Sequence, residues 1–119
     1  VLAGSTDIQL GNLTPLRSYI HVQDIAEALQ TIGRISFDRP YEVLNIGNEA
    51  EHSVSDILHL IGKVTERELR PVQHPDRIRK VDRHRQQASL TKITRLTGWT
   101  PRRTVETALK DAFEFTRDV

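Results

Sequence analysis

The chain has 119 residues, of which 37% are hydrophobic and 28% are charged, with a net charge of +1 and no cysteine. This length fits one domain with a single core, no apolar run is long enough to span a membrane, and the small net charge argues against a general attraction to nucleic acid or lipid. The lack of cysteine excludes disulfides and thiolate metal sites and suits a cytoplasmic protein. The chain contains no Met and opens at Val1, which fits either a trimmed initiator or a domain excised from a longer protein.

The first half of the chain predicts three short strands and one helix. Alternating residues with a period of two indicate strands, and Arg17 opens such a run after the turn formers at 11–15. Asp24 precedes apolar residues at helical spacing, and Glu27 completes a carboxylate-type capping box. In chain order, we expect an N-terminal loop at 1–6, a strand at 7–10, a strand from 17 to 23, a helix from 24 to 32 that Gly33 stops, and a strand at 41–46.

The second half predicts three helices, with a strand and a basic loop between the first two. Ser53 and Asp56 form a capping box, Gly98 follows a short apolar repeat, and Thr104 precedes a longer one. We therefore expect a helix from 53 to 65, a strand at 69–72, a loop at 76–85, a short helix at 90–96 and a last helix from 105 to 113. The whole pattern predicts a small α/β domain with short strands and about four helices.

The sequence contains no complete catalytic motif of the common types. Its six glycines form neither the Gly-x-Gly-x-x-Gly nor the Gly-x-x-x-x-Gly-Lys pattern that cradles phosphate groups. Its five histidines do not fall in a metal-ligand motif, and no serine has the spacing of a nucleophile elbow. The sequence therefore points to a binding site rather than to an active site.

Arginine side chains are the strongest candidates for ligand binding. Arg17 opens a strand after a turn, and the loop at 76–85 holds five Lys/Arg residues without a helical stripe. The guanidinium fork matches phosphate oxygens, but a solvated basic loop with local Asp–Arg pairs has the same composition. Asn45 lies within the predicted apolar strand, where a buried amide needs partners, and it is either a structural clip or a ligand contact.

Five motifs in a fixed order resemble a known family. They are Gly-Asn-Leu-Thr-Pro-Leu-Arg-Ser-Tyr at 11–19, Val-Gln-Asp-Ile-Ala-Glu-Ala at 22–28, Tyr-Glu-Val-Leu-Asn-Ile-Gly at 41–47, Leu-Thr-Lys at 90–92 and Gly-Trp-Thr-Pro at 98–101. The set resembles the C-terminal part of extended short-chain dehydrogenase/reductase enzymes that act on nucleotide sugars, the NAD-dependent epimerases and 4,6-dehydratases. The Gly-Asn-Leu form is most similar to the GDP-mannose 4,6-dehydratase branch.

This resemblance implies that residues 1–119 form the substrate-binding part of such an enzyme, with a GDP-, UDP- or dTDP-sugar as the ligand. It implies that Arg17, Arg79 and Arg85 clamp the diphosphate. It also places Asn45 in the family's Asn-Ile-Gly strand and Leu10 where the nucleotide base packs. The chain departs from the family pattern at Ser18 and Ser89, where an Asp is usual. The first departure removes a carboxylate that could orient the first arginine.

The resemblance also implies that the cofactor NAD(P) belongs to a Rossmann half that this chain lacks. That half carries a Gly-rich turn and a Tyr-x-x-x-Lys pair, and neither motif occurs here. We therefore expect a truncated or excised domain that binds no cofactor of its own, does not catalyse hydride transfer alone and self-associates through an exposed interface.

Two other functions remain open from the sequence. The Arg-rich loop between flanking helices is also found in nucleic-acid-binding modules, although the acidic residues balance its charge, and a steep salt dependence of DNA affinity would favour that class. The chain could alternatively be a stand-alone scaffolding protein that keeps the sugar-nucleotide fold without catalysis.

Overall fold

A computed structural model describes residues 4–117, so the first three residues of the predicted N-terminal loop lie outside it. The predicted class, α/β with short strands and four helices, is confirmed. The helices are α1 Val22–Gly33, α2 Val54–Thr65, α3 Thr91–Thr97 and α4 Val105–Arg117, and the strands are β1 Asp7–Leu10, β2 Leu16–Ser18, β3 Glu51–His52, β4 Arg70–Gln73 and β5 Arg85–Gln86. None of these helices is long and apolar enough to cross a membrane.

The five strands form two small sheets. In the first, β1 pairs with β4 in parallel, with Asp7 opposite Arg70. In the second, β2 lies between β3, which is antiparallel to it, and β5, which is parallel to it. Since β1 and β2 are joined by a turn of five residues, the loops at the ends of both sheets meet around that turn.

The core lies between α1, α3 and the segment that follows α3. Ala28, Leu90, Ile93 and Trp99 form its buried cluster, and Ile20, Ile32, Leu44, Ile46 and Ala88 pack around it. Burial of such apolar side chains is the main favourable term in folding. The core thus fixes α1 and α3 and leaves the two small sheets to position polar groups.

Several predicted helix signals are confirmed. Ser53 accepts a hydrogen bond from the backbone N–H of Asp56, and the Asp56 carboxylate accepts one in return from the Ser53 N–H, which is the predicted capping box. Gly98 ends α3 in the left-handed conformation, with φ at 71°. Thr104 accepts a hydrogen bond from the Thr107 N–H at the start of α4.

The predicted strand from 17 to 23 is wrong beyond Ser18. The ladder ends there, because β3 and β5 offer partners only to Leu16–Ser18. Helix α1 also begins earlier than predicted. His21 is its N-cap and accepts the Gln23 N–H at Nδ1 over 3.0 Å.

The role of Asp24 as a helix cap is also wrong. Its side chain is fully buried, and its carboxylate accepts hydrogen bonds from the backbone N–H groups of Arg102 and Arg103 and from the Arg103 guanidinium, the last over 2.6 Å. The Asp24 carboxylate therefore anchors the segment before α4 onto α1.

Residues 41–46, which were predicted to form a strand, alternate between partly buried and exposed side chains but do not pair with another strand in the described part of the chain. Leu44 and Ile46 face the core, whereas Tyr41 and Val43 are exposed. No other segment within residues 4–117 pairs with this stretch in a sheet, so it stays extended without a ladder. Asn45 in this stretch is exposed rather than buried.

Candidate functional site

A cavity of about 300 Å³ opens where the two small sheets meet. It is formed by the turn between β1 and β2, the start of β2, and the loop that follows β4. The lining residues are Leu10, Gly11, Asn12, Pro15, Arg17, Val54, Arg77, Arg79 and Asp82. The cavity thus brings together Leu10, Arg17 and Arg79, three of the five residues predicted to bind the substrate.

Close backbone packing fixes the two loops against each other. A Cβ atom at Gly11 would lie 2.1 Å from the carbonyl oxygen of Arg77, so only glycine fits there. The Arg77 guanidinium donates to the Gln9 carbonyl over 2.8 Å, and the His74 N–H donates to the Leu10 carbonyl over 2.9 Å. The parallel pairing of β1 with β4 thereby continues into the cavity wall.

Arg17 lies in the central strand of the second sheet, and its side chain is 27% exposed. Its Nη1 donates to the carbonyl oxygens of Leu16 and Arg83, over 2.8 and 2.7 Å. Its Nη2 donates to the Asp82 carboxylate over 2.7 Å. These three bonds use three of the five N–H donors of the guanidinium, which leaves two for a ligand.

Asn12 and Asp82 were not among the residues predicted to bind the substrate. The Asn12 amide donates to the Arg79 carbonyl over 3.2 Å and to the Asp82 carboxylate over 3.1 Å. Asn12 belongs to the Gly-Asn-Leu motif, which was a usable signal. Asp82 belongs to the basic loop, where the sequence suggested only local Asp–Arg pairs. Its actual partner, Arg17, lies 65 residues away.

The cavity is electropositive. Arg17, Arg77 and Arg79 contribute three positive charges and Asp82 one negative charge, so the lining carries a net charge of +2. Within residues 4–117, the Arg79 guanidinium has neither a hydrogen-bond partner nor an ion-pair partner. An anion with two negative charges would balance this lining.

The other two predicted binding residues lie outside this cavity. Arg85 in β5 forms a bidentate pair with Glu51 in β3, with N–O distances of 2.6 to 2.9 Å. Side-chain hydrogen bonding to Glu51 raises the pKa of Arg85. The Asn45 amide donates to the Ser89 carbonyl over 3.3 Å, a contact of the structural kind, and a ligand role for Asn45 stays a prediction. A ligand role for Arg85 stays a prediction and would require release from Glu51.

A larger groove has a different character. It measures about 760 Å³ between the end of α2 and α4, where acidic and basic side chains alternate and Lys63 pairs with Glu106 over 2.9 Å. Residues 4–117 contain no group of three potential metal ligands. The guanidinium-lined cavity is therefore the best candidate for a ligand site.

Comparison with known proteins assigns the family. A family model described as GDP-mannose 4,6 dehydratase matches residues 1–112. The chain belongs to this family. The predicted resemblance to extended short-chain dehydrogenase/reductase enzymes of the epimerase and dehydratase type is thereby confirmed.

Individual relatives are longer than this chain. The GDP-6-deoxy-D-mannose reductase of Pseudomonas aeruginosa is 25% identical over 103 residues, which are 87% of this chain and 33% of that enzyme. The solved structure of RMD from Pseudomonas aeruginosa with NADPH aligns with a TM-score of 0.83 and 22% identity, over 97% of this chain and 37% of that chain. A UDP-glucose 4-epimerase from Thermotoga maritima with UDP-glucose aligns with a TM-score of 0.80 and 27% identity, over 96% and 35%. The chain spans about a third of these relatives.

The described residues of this GDP-mannose 4,6-dehydratase family member do not fit the NAD(P) cofactor of its relatives. A dinucleotide pyrophosphate binds at a glycine-rich helix N-terminus, where backbone N–H groups and the helix dipole favour the negative charge of the ligand. The three longer helices, α1, α2 and α4, carry Asp24, Asp56 and Glu106 in their first turns. Hydrogen bonds from the Ser53 backbone and side chain lower the pKa of Asp56, which keeps that carboxylate charged. None of these three helix starts follows a glycine-rich turn, and the carboxylate in each first turn disfavours a pyrophosphate there.

Proposed function

We propose that this chain supplies the nucleotide-sugar-binding part of an NAD(P)-dependent epimerase or dehydratase, and that its cavity receives the diphosphate. One observation carries the proposal. Arg17 and Arg79, which are 62 positions apart in the sequence, line the same cavity together with Arg77. Guanidinium groups that converge from separate segments are typical of phosphate recognition.

The charge of the cavity suits this ligand. The diphosphate of a nucleotide sugar is esterified at both ends, so each phosphate carries one negative charge. The net charge of +2 on the lining matches that group. Leu10 and Val54 add apolar surface to the same wall, which suits contact with a nucleotide base or ribose.

The hydride chemistry is assigned to the NAD(P)-binding half of the intact enzyme. Exposed apolar side chains support a covering partner: Val22 and Leu29 on α1 are 72% and 58% exposed, and Tyr41 and Val43 are 79% and 71% exposed. Apolar side chains that form a contiguous exposed patch mark an interaction surface. In our proposal the NAD(P)-binding half covers them, and the chain alone binds the sugar nucleotide weakly.

Isothermal calorimetry with GDP-mannose and UDP-glucose tests the proposal. We expect weak binding of at least one of the two, and Arg17→Ala or Arg79→Ala should weaken it roughly tenfold or more, because each substitution removes charge-assisted hydrogen bonds. Arg39→Ala is the matched control, since the Arg39 side chain is 78% exposed and lies outside the cavity. Absence of binding by both sugar nucleotides, or equal affinity of the Arg17 and Arg39 variants, would refute the assignment.

A further inference from the structure

We propose that Asp82 is the positioning residue of Arg17: its carboxylate orients the guanidinium for phosphate and does not itself bind phosphate. This inference rests on the proposed function of the cavity. It starts from an apparent contradiction, because an acidic side chain lines a cavity assigned to an anion. Electrostatic repulsion alone would make Asp82 unfavourable there.

The geometry resolves this contradiction. The two Asp82 carboxylate oxygens accept different donors: Oδ1 accepts Arg17 Nη2 over 2.7 Å, and Oδ2 accepts the Asn12 amide over 3.1 Å. The Asp82 side chain is only 16% exposed, against 27% for Arg17. Asp82 therefore joins the central strand, the turn before it and the basic loop through one carboxylate.

The bonds of Arg17 show what this orientation achieves. The two Nη1 hydrogens are used by the carbonyls of Leu16 and Arg83, and Asp82 uses one hydrogen of Nη2. The unused donors are Nε–H and the second Nη2–H, and two donors are what bidentate phosphate recognition requires. Without Asp82, the Arg17 Nη2 atom would have no hydrogen-bond partner within residues 4–117.

The residue that follows Arg17 in the chain bonds elsewhere and does not hold the guanidinium. Ser18, which directly follows Arg17, bonds to the backbone carbonyl and N–H of Asn48. Asp82 supplies a carboxylate to Arg17 from the neighbouring segment.

The sign of one substitution separates positioning from repulsion. Asp82→Asn raises the net charge of the cavity, so repulsion alone predicts tighter binding of GDP-mannose or UDP-glucose. Positioning predicts binding weaker by roughly tenfold, because the charge-assisted bond to Arg17 is lost. Asp76→Asn is the matched control: it removes the same charge from the adjacent turn, its side chain is 90% exposed, and its ion-pair partner is His74. We expect this control to bind equally or slightly more tightly.

A second comparison shows whether Asp82 acts through Arg17. Arg17→Lys keeps the charge but loses the planar fork. In that background, Asp82→Asn should change the affinity less than about twofold, whereas a merely structural role would weaken both backgrounds equally. Thermal melts identify variants that fail to fold. Tighter or unchanged binding by Asp82→Asn, or equal losses in both backgrounds, would overturn the inference. If Arg17→Ala leaves affinity unchanged, the proposed function itself fails.

Discussion

Two carboxylates share one arginine, and the structure predicts that they differ greatly in their importance for stability. The Arg103 guanidinium donates to Asp24 over 2.6 Å and to Glu27 over 2.8 Å. The Asp24 side chain is fully buried, whereas the Glu27 side chain is 39% exposed. We predict a large loss of stability for Asp24→Ala and a small one for Glu27→Ala.

The size of each loss in unfolding free energy follows from the hydrogen-bond donors that the substitution leaves without an acceptor. Asp24→Ala removes the acceptor of two backbone N–H groups, those of Arg102 and Arg103, at the point where α4 is tied to α1. A donor that is buried and left without a partner costs roughly 1–3 kcal/mol, and since both of these bonds are part-buried, the expected loss for the two together is about 3 kcal/mol. Glu27→Ala leaves no backbone donor unpaired, and Arg103 keeps its bonds to Asp24. Exposed ion pairs contribute little to stability.

Thermal denaturation followed by circular dichroism measures both variants, and urea denaturation gives their free energies of unfolding. We expect the Asp24→Ala melting temperature to fall by roughly 10 °C, as a loss of this size implies for a domain of this length. The Glu27→Ala variant should stay close to the parent chain. Equal and small shifts for the two variants would show that Asp24 is not the anchor of the segment before α4, and the reasoning would fail.

Two further predictions concern the same anchor and the cavity wall. Burial alone would raise the pKa of Asp24, but the backbone N–H and guanidinium of Arg103, with the Arg102 N–H, lower the pKa below its usual value. The stability that Asp24 contributes is therefore present above about pH 4 and is lost as the pH falls through its lower folded-state pKa. The difference in unfolding free energy between the parent chain and Asp24→Asn should shrink over the same fall in pH. Gly11→Ala should lower the free energy of unfolding by roughly 1–3 kcal/mol and weaken sugar-nucleotide binding, because the added Cβ would clash with a backbone carbonyl. Gly33→Ala is the control: a Cβ there meets nothing within 4 Å, so thermal melts should show no loss of stability.

The helices were predictable because their signals are local. Ser53, Gly98 and Thr104 act within a few residues of their own positions, and the structure shows each in its predicted role. The start of α1 was not predictable from such rules. His21 is a rare cap, and Asp24 has the spacing of a cap but is bonded to residues 78 and 79 positions away.

The strands were less predictable, because an alternation of apolar and polar residues indicates which side chains are buried but not whether a neighbouring strand is present. The stretch at 41–46 alternates as expected and has no ladder partner within residues 4–117, and the run after Arg17 ends at Ser18 because its partner strands are two residues long. A period of two is necessary for a half-buried strand but does not supply the neighbour that makes it one.

The same limit separates the arginines of the site. In sequence, Arg79 and Arg85 are equivalent members of one basic loop, and the family resemblance assigned both to the diphosphate. In the fold, β3 and β5 flank β2 on opposite sides, and the Glu51 and Arg85 side chains bond to each other. Glu51 thus neutralises Arg85, whereas Arg79 precedes β5 and reaches the cavity without an acidic partner among residues 4–117. Which guanidinium groups are available to an anion is therefore decided by strand pairing and not by the number of arginines in the loop.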